Sequence, residues 1–249
     1  MRLKPDHPAL SEKRTIHPIK VYHAFSFHSP IIKPVSLNSK LGKGKTLIEK
    51  GRWAGMPMFS LTLEERATCP SYCLRWAQCY GNGMPFAHRF KPGENLETRI
   101  DFEIGLLAGR FPGGFVVRLH ILGDFYSADY ADLWSSLLVD HSELRIFGYT
   151  GQFVLTSIGT EIARMNRIDR CWLRFSRNVP YNRKYPNEIY AGSPDKVSGI
   201  RCPEQTKTTE SCLTCGLCWS TKQTITFEDH DKLHKERKRI SALDKELGA

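Results

Sequence analysis

Residues 114–150 read GFVVRLHILGDFYSADYADLWSSLLVDHSELRIFGYT. The opening glycine-bounded run is rich in branched residues and predicts a strand. SADYADLWSSLLVDHSE then predicts a helix. Tyr130, Leu133, Trp134, Leu137 and Leu138 fall at i, i+3, i+4, i+7 and i+8, so they form one apolar stripe. Ser127 is a candidate N-cap, and Asp129 and Asp132 complement the positive end of the helix dipole. LRIFGYT predicts a second strand. Strand, helix, strand in succession is the pattern of parallel strands joined by a crossover helix.

The same alternation extends in both directions. MPMFSLTL reads as a short strand, and ENLETRIDFEIGLLAGRF carries Leu96, Ile100, Ile104 and Leu107 at helical spacing. Downstream, GTEIARMNRID predicts a helix, while CWLRFSRN and EIYAGS predict strands. About four or five β-α steps are too few for a full eight-stranded barrel. The expected fold is α/β, a partial (β/α) barrel or an open, mostly parallel sheet, with a cysteine-rich C-terminal metal-binding segment. Three parts are expected: an extended basic N-terminal arm over residues 1–35, an α/β core with a three-cysteine cluster over 36–200, and a four-cysteine segment with a basic tail over 201–249. In such folds the site lies at the carboxyl ends of the strands. Those ends are Gly123-Asp124-Phe125, Tyr149-Thr150-Gly151 and Ser176-Arg177-Asn178.

Composition narrows the class. Of 249 residues 41% are hydrophobic, enough for a sizeable core. No run of eighteen apolar residues is present, which argues against a membrane span. The first residues, MRLKPDHPALSEKRTIHPIK, have no apolar core or cleavage site, so a cytoplasmic protein with reduced thiols is expected. Eight cysteines in that setting point to metal or redox chemistry. The formal net charge is +10 and the pI about 9.2. That charge favours acidic partners, a nucleotide or nucleic acid held through the basic surface. The plainer reading is solvated charge on two tails, Lys4, Lys13, Arg14 and Lys20 at one end and Lys232, Lys235, Arg237, Lys238 and Arg239 at the other.

The cysteines fall into two groups. Cys202, Cys212, Cys215 and Cys218 give C-x9-C-x2-C-x2-C. Four thiolates can close a structural zinc site. They can equally hold a 4Fe–4S cluster, for which C-x2-C-x2-C is a familiar core, and Gly216 leaves room for sulfide. Cys69, Cys73 and Cys79 give C-x3-C-x5-C. Three ligands leave one position open, and an open position is the mark of a catalytic metal. The structural alternative is a zinc completed by His88 or by Cys171. Cys171 begins a predicted strand and reads as a small buried hydrophobe.

Alternation on the strands singles out further residues. Val117, Leu119 and Ile121 share one face, leaving Arg118 and His120 on the other; Arg174 and Ser176 likewise alternate with Leu173 and Phe175. Arg118, His120, Arg174 and Ser176 are expected to line a polar pocket. Two arginines there suit an anionic ligand such as a carboxylate or phosphate. Asp124 can accept from an ammonium while Gly123 lets the backbone approach, or it can merely cap a backbone amide. His120 is a candidate for proton transfer or a satisfied interior histidine.

Three cysteines on a loop after an early strand resemble radical S-adenosylmethionine enzymes, whose spacing is C-x3-C-x2-C with an aromatic before the last cysteine. There the thiolates hold a 4Fe–4S cluster whose open iron meets the cofactor, and an acidic glycine-rich turn after the second strand holds its amino group. Here five residues precede Cys79 and the aromatic, Tyr80, follows it. The sequence is also similar to the phage and plasmid family called gene product 88 over roughly residues 36–230. That resemblance rests on LNSKLGKG, CPSYCLRWAQCYG, RLHILGDFYS and CP…CLTCGLCW…TITFEDH, in that order. It implies a cysteine-rich metal protein of mobile-element type, related to radical S-adenosylmethionine proteins, and names no reaction. Two functions follow as expectations. One is an enzyme with an open cluster on Cys69, Cys73 and Cys79, an auxiliary cluster on the other four cysteines, S-adenosylmethionine as cofactor and an external electron donor. The other is a zinc-stabilised nucleic-acid-binding module without catalysis.

Overall fold

The computed structural model describes residues 1–73, 75–176, 188–193 and 197–228. The predicted alternation is present. The chain runs through α1 (Pro8–Ser11), β1 (Val21–Tyr22), β2 (Lys33–Pro34), β3 (Met58–Ser60) and β4 (Arg89–Phe90). It continues through α2 (Glu94–Arg110), β5 (Phe115–Leu119), α3 (Ala128–Asp140), β6 (Leu144–Thr150), α4 (Ser157–Met165) and β7 (Cys171–Ser176). It closes with β8 (Tyr190–Gly192), β9 (Ile200–Arg201), α5 (Cys212–Cys215) and β10 (Ile225–Thr226).

Eight strands make one sheet in the order β2-β3-β5-β6-β7-β8-β10-β9. Of the pairs described, β2 with β3 is antiparallel and the others in this sheet are parallel. The register places Phe59, Val117 and Ile146 side by side, with Cys171 next to Ile146. The sheet keeps two edges, so the fold is α/β with an open, mostly parallel sheet, and no barrel closes. Three crossovers among the described residues carry a helix, α2, α3 and α4. That is fewer than the four or five steps the sequence suggested, because β8, β9 and β10 are strands of two or three residues without described crossover helices.

Side-chain alternation divides the core in two. Phe115, Val117, Leu119, Leu144, Ile146, Cys171, Leu173 and Phe175 face the helices and pack on Leu96, Ile100, Ile104, Tyr130, Trp134 and Leu138. Ser127 caps α3 by accepting the Tyr130 amide at 3.0 Å, as its position predicts. The opposite face was expected to be a polar cavity. It is instead a second apolar core, because the loop after β2 and the C-terminal cysteine segment cover it. Val35, Ile48, Trp53, Leu213 and Trp219 pack there on Met58, Val116, Phe147 and Trp172. The Trp53 and Trp219 rings stack with centroids 5.9 Å apart. Residues 201–228 are thus built into the main sheet: β10 lies between β8 and β9.

The N-terminal arm is anchored along its length. Leu3 and Ala9 are buried, the Leu3 amide bonds Ala77 O at 2.8 Å, and the Ile31 and Ile32 amides donate to the buried Glu103 carboxylate on α2. No described helix is long and apolar enough to cross a membrane. The basic run beyond residue 228, Arg177 and Asn178 lie outside the described residues.

Candidate functional site

Three neighbouring strands, β3, β5 and β6, end at one place. The Cys69–Cys79 loop follows β3, Gly123-Asp124 follows β5, and Gly151 follows β6. Gly123 has a φ of +81°, and its backbone passes against Leu63 and Thr68 of the cysteine loop. The Asp124 amide donates to Thr68 Oγ1 at 3.2 Å. The Asp124 carboxylate accepts the Gly151 amide at 2.6 Å on one oxygen and the Phe125 amide at 2.8 Å on the other. Burial raises its pKa to about 6, against the hydrogen bonds from Gly151, Thr150 and Phe125, which hold it down.

That carboxylate lies in electrostatic reach of both Cys69 and Cys73. Cys69 in turn lies within electrostatic reach of Cys73 and Cys79, so the loop brings the three thiols near one another at the strand ends without the convergence a single metal ion needs. Burial pushes all three thiols up, Cys79 to about 11. Desolvation disfavours each thiolate here, and a bound cation would reverse that preference.

A buried polar frame fixes the loop. Arg66, with a φ of 68°, donates to Trp76 O at 2.9 Å and to the Asn82 side chain, which reaches back to Ala77 O at 3.2 Å. Arg89 and Glu65 pair at 2.6 Å with both side chains wholly buried, and Thr15 of the N-terminal arm donates to the same carboxylate at 2.7 Å. Tyr72 stacks on Phe153 at 4.2 Å and donates to Gln152 Oε1 at 2.9 Å, tying the loop to the turn after β6. Sequence spacing flagged the thiols and missed this frame. Charged residues beside a cysteine loop read as surface, and the pairing of Glu65 with Arg89 exists only in three dimensions.

Neither proposed fourth ligand joins the group. His88 sits between the Tyr22 and Phe27 rings, with Nδ1 2.7 Å from Lys33 Nζ. Cys171 is buried in the helix-side core, its Sγ 3.5 Å from Asn166 Oδ1, as a small hydrophobe would be.

The second group forms on the opposite face of the sheet. Cys202, Cys212, Cys215 and Cys218 line one cavity together with Trp219 and Ile225. Gly216 caps α5 in the left-handed conformation, and a β-carbon there would come 2.5 Å from Lys50 O. Burial raises each of the four thiols. Among the described residues no three His, Cys, Asp or Glu side chains converge tightly enough to hold a single metal ion.

The predicted polar pocket does not assemble as drawn. Arg174 is spent on backbone carbonyls, donating to Cys218 O at 3.2 Å, Gln223 O at 2.8 Å and Thr221 O of the second segment and to Tyr190 O of β8 at 3.2 Å. Ser176 lies at the end of β7. His120 lies beyond β5, where strand alternation has ended, and it faces the helices instead of sharing a face with Arg118. Its Nε2 is 2.9 Å from Tyr130 Oη, and burial lowers its pKa to about 3. Arg118 keeps the predicted face, its guanidinium 4.7 Å from the Tyr149 ring centre. Tyr149 Oη is in turn 2.7 Å from Cys218 Sγ.

No family model and no solved structure matches the chain. It is similar to the Gene 88 protein of Mycobacterium phage L5, 24% identical over 135 residues. The match covers 46% of this chain and 55% of that protein, so the chain spans about half the length of this curated relative.

Proposed function

We propose that this chain is an iron–sulfur protein of the gene product 88 type and acts as a radical S-adenosylmethionine-like enzyme. The carrying observation is the grouping of Cys69, Cys73 and Cys79 beside buried Asp124, with His88 and Cys171 both elsewhere. Three thiolates fit a cluster with one open iron, and four thiols around one cavity fit an auxiliary cluster. Each thiolate of such a cluster binds a different iron, so the sulfurs stand further apart than around one zinc. Zinc, the alternative occupant of four thiolates, is separated from a cluster by metal content and the visible spectrum. The open cluster supplies one-electron chemistry, S-adenosylmethionine being the proposed cofactor.

The chain's own residues do the positioning. Asp124 is held in place by the Gly151 and Phe125 amides and keeps lone pairs for an ammonium group. Gly123 lets the cysteine loop and the Asp124 turn approach. Arg66 and Tyr72 hold the loop so that the thiols stay grouped as a ligand arrives. An external electron donor completes the reading, and the basic composition suits a nucleotide or nucleic acid as substrate.

Anaerobically purified protein, given dithionite and S-adenosylmethionine, is expected to cleave the cofactor. Cys73→Ala is expected to abolish cleavage while the second site keeps its iron. Full iron content without cleavage would overturn the enzymatic reading.

A further inference from the structure

Arg118 lies against Tyr149, which contacts Cys218 of the second cysteine group, and within electrostatic reach of Tyr80 beside the first. It leaves β5 beside the strand-end site, and its charge is felt by Tyr80, the neighbour of Cys79, on one side. On the other side it is felt by Cys212, Cys218 and Tyr149. The guanidinium is half-buried, and aromatic faces fix its plane, Tyr149 at 4.7 Å and Phe147 at 5.5 Å. It donates to the carbonyl of its own neighbour, Leu119, and no carboxylate pairs with it among the described residues. Of the other cations near these thiols, Arg66 and Arg174 are bound to carbonyls and Lys40 pairs with Glu204 at 3.4 Å, while Arg75 lies by Cys73 and Lys50 by Cys215, away from the Tyr149 face. A guanidinium offers five N–H donors, and a half-buried one without an anion leaves most of them unused. Its fork matches the paired oxygens of a carboxylate or phosphate.

We infer that Arg118 is the receptor for a small oxyanion, a carboxylate or phosphate, held against the Tyr149 and Phe147 faces beside the second cysteine group. The inference rests on the proposed function solely in assigning this oxyanion to the substrate; the binding site stands on the geometry of Arg118.

Inorganic phosphate and acetate are titrated separately into the full-length, anaerobically purified protein and followed by calorimetry. At least one is expected to saturate a single site. Arg118→Met is expected to weaken it about tenfold to a hundredfold, the worth of a charge-assisted pair. Lys4→Met, an exposed lysine on the arm, is expected to leave binding unchanged. A response to phosphate alone assigns a phosphorylated ligand, and a response to acetate alone a carboxylate. Should Arg118→Met fail to fold by circular dichroism, Arg118→Lys replaces it, with weaker binding than wild type expected. Absence of a saturable site in the wild type, or wild-type affinity in the folded Arg118 variant, would overturn the inference. Iron measured on the same samples separates the two ideas: missing iron counts against the proposed function, missing anion binding against this site.

Discussion

Gly123 carries both a positive φ and a crowded neighbourhood, since a methyl group there would sit 2.6 Å from Leu63 Cβ and overlap Thr68 Oγ1. Gly123→Ala is expected to cost roughly 2–5 kcal/mol, the sum of backbone strain and overpacking, measured by urea denaturation. His120 predicts a pH effect. Its pKa is lowered to about 3 by burial, so below the ordinary imidazole value the unfolded chain takes up a proton that the folded chain refuses. Stability from this group is therefore full at neutral pH. It falls by about 1.4 kcal/mol per pH unit below about 6.5, until the folded pKa is reached. His120→Asn should flatten that slope in denaturation curves taken between those limits. Tyr149→Phe removes a donor 2.7 Å from Cys218 Sγ. It is expected to lower the reduction potential of a cluster at the second site, read by redox titration, since donors to cluster sulfur favour the reduced form. At this scale the sequence exposed the cysteines and Asp124, whose residue types carry their chemistry wherever they sit. It misplaced His120, because the period-two rule holds only while the strand lasts and β5 ends at Leu119.

Among elements, the β5-α3-β6 unit was legible because its signals are local: branched strands, a five-residue apolar stripe and a serine cap that forms as expected. Strand β8 falls inside the predicted EIYAGS strand, but β9 and β10 were not legible, since two residues carry too little periodicity and β10 pairs out of chain order. What holds them is partly one side chain. Arg174 on β7 ties Cys218, Thr221 and Gln223 to the sheet through their carbonyls. Arg174→Met should leave those acceptors unpaired. We expect roughly 2–5 kcal/mol of destabilisation in chemical denaturation. Bound iron should also fall from about eight to about four per chain, as the second site loses its shape while the first stays.

For the whole molecule, the open parallel sheet separates the two cysteine groups and also joins them. One group gathers at the carboxyl ends of β3, β5 and β6; the other lies across the second core, where the C-terminal segment covers the face opposite the helices. Arg118 and Tyr149, on the central strands β5 and β6, lie against each other, and Tyr149 reaches Cys218 of the second group. The N-terminal arm reaches the polar frame of the first group through Thr15 and Glu65. Metal content on protein purified without oxygen, read with the visible spectrum, tests the central claim most directly. About eight irons per chain, with a broad absorbance bleached by dithionite, is the predicted result for two 4Fe–4S clusters. A colourless protein with about two zincs, or with no bound metal, would contradict it.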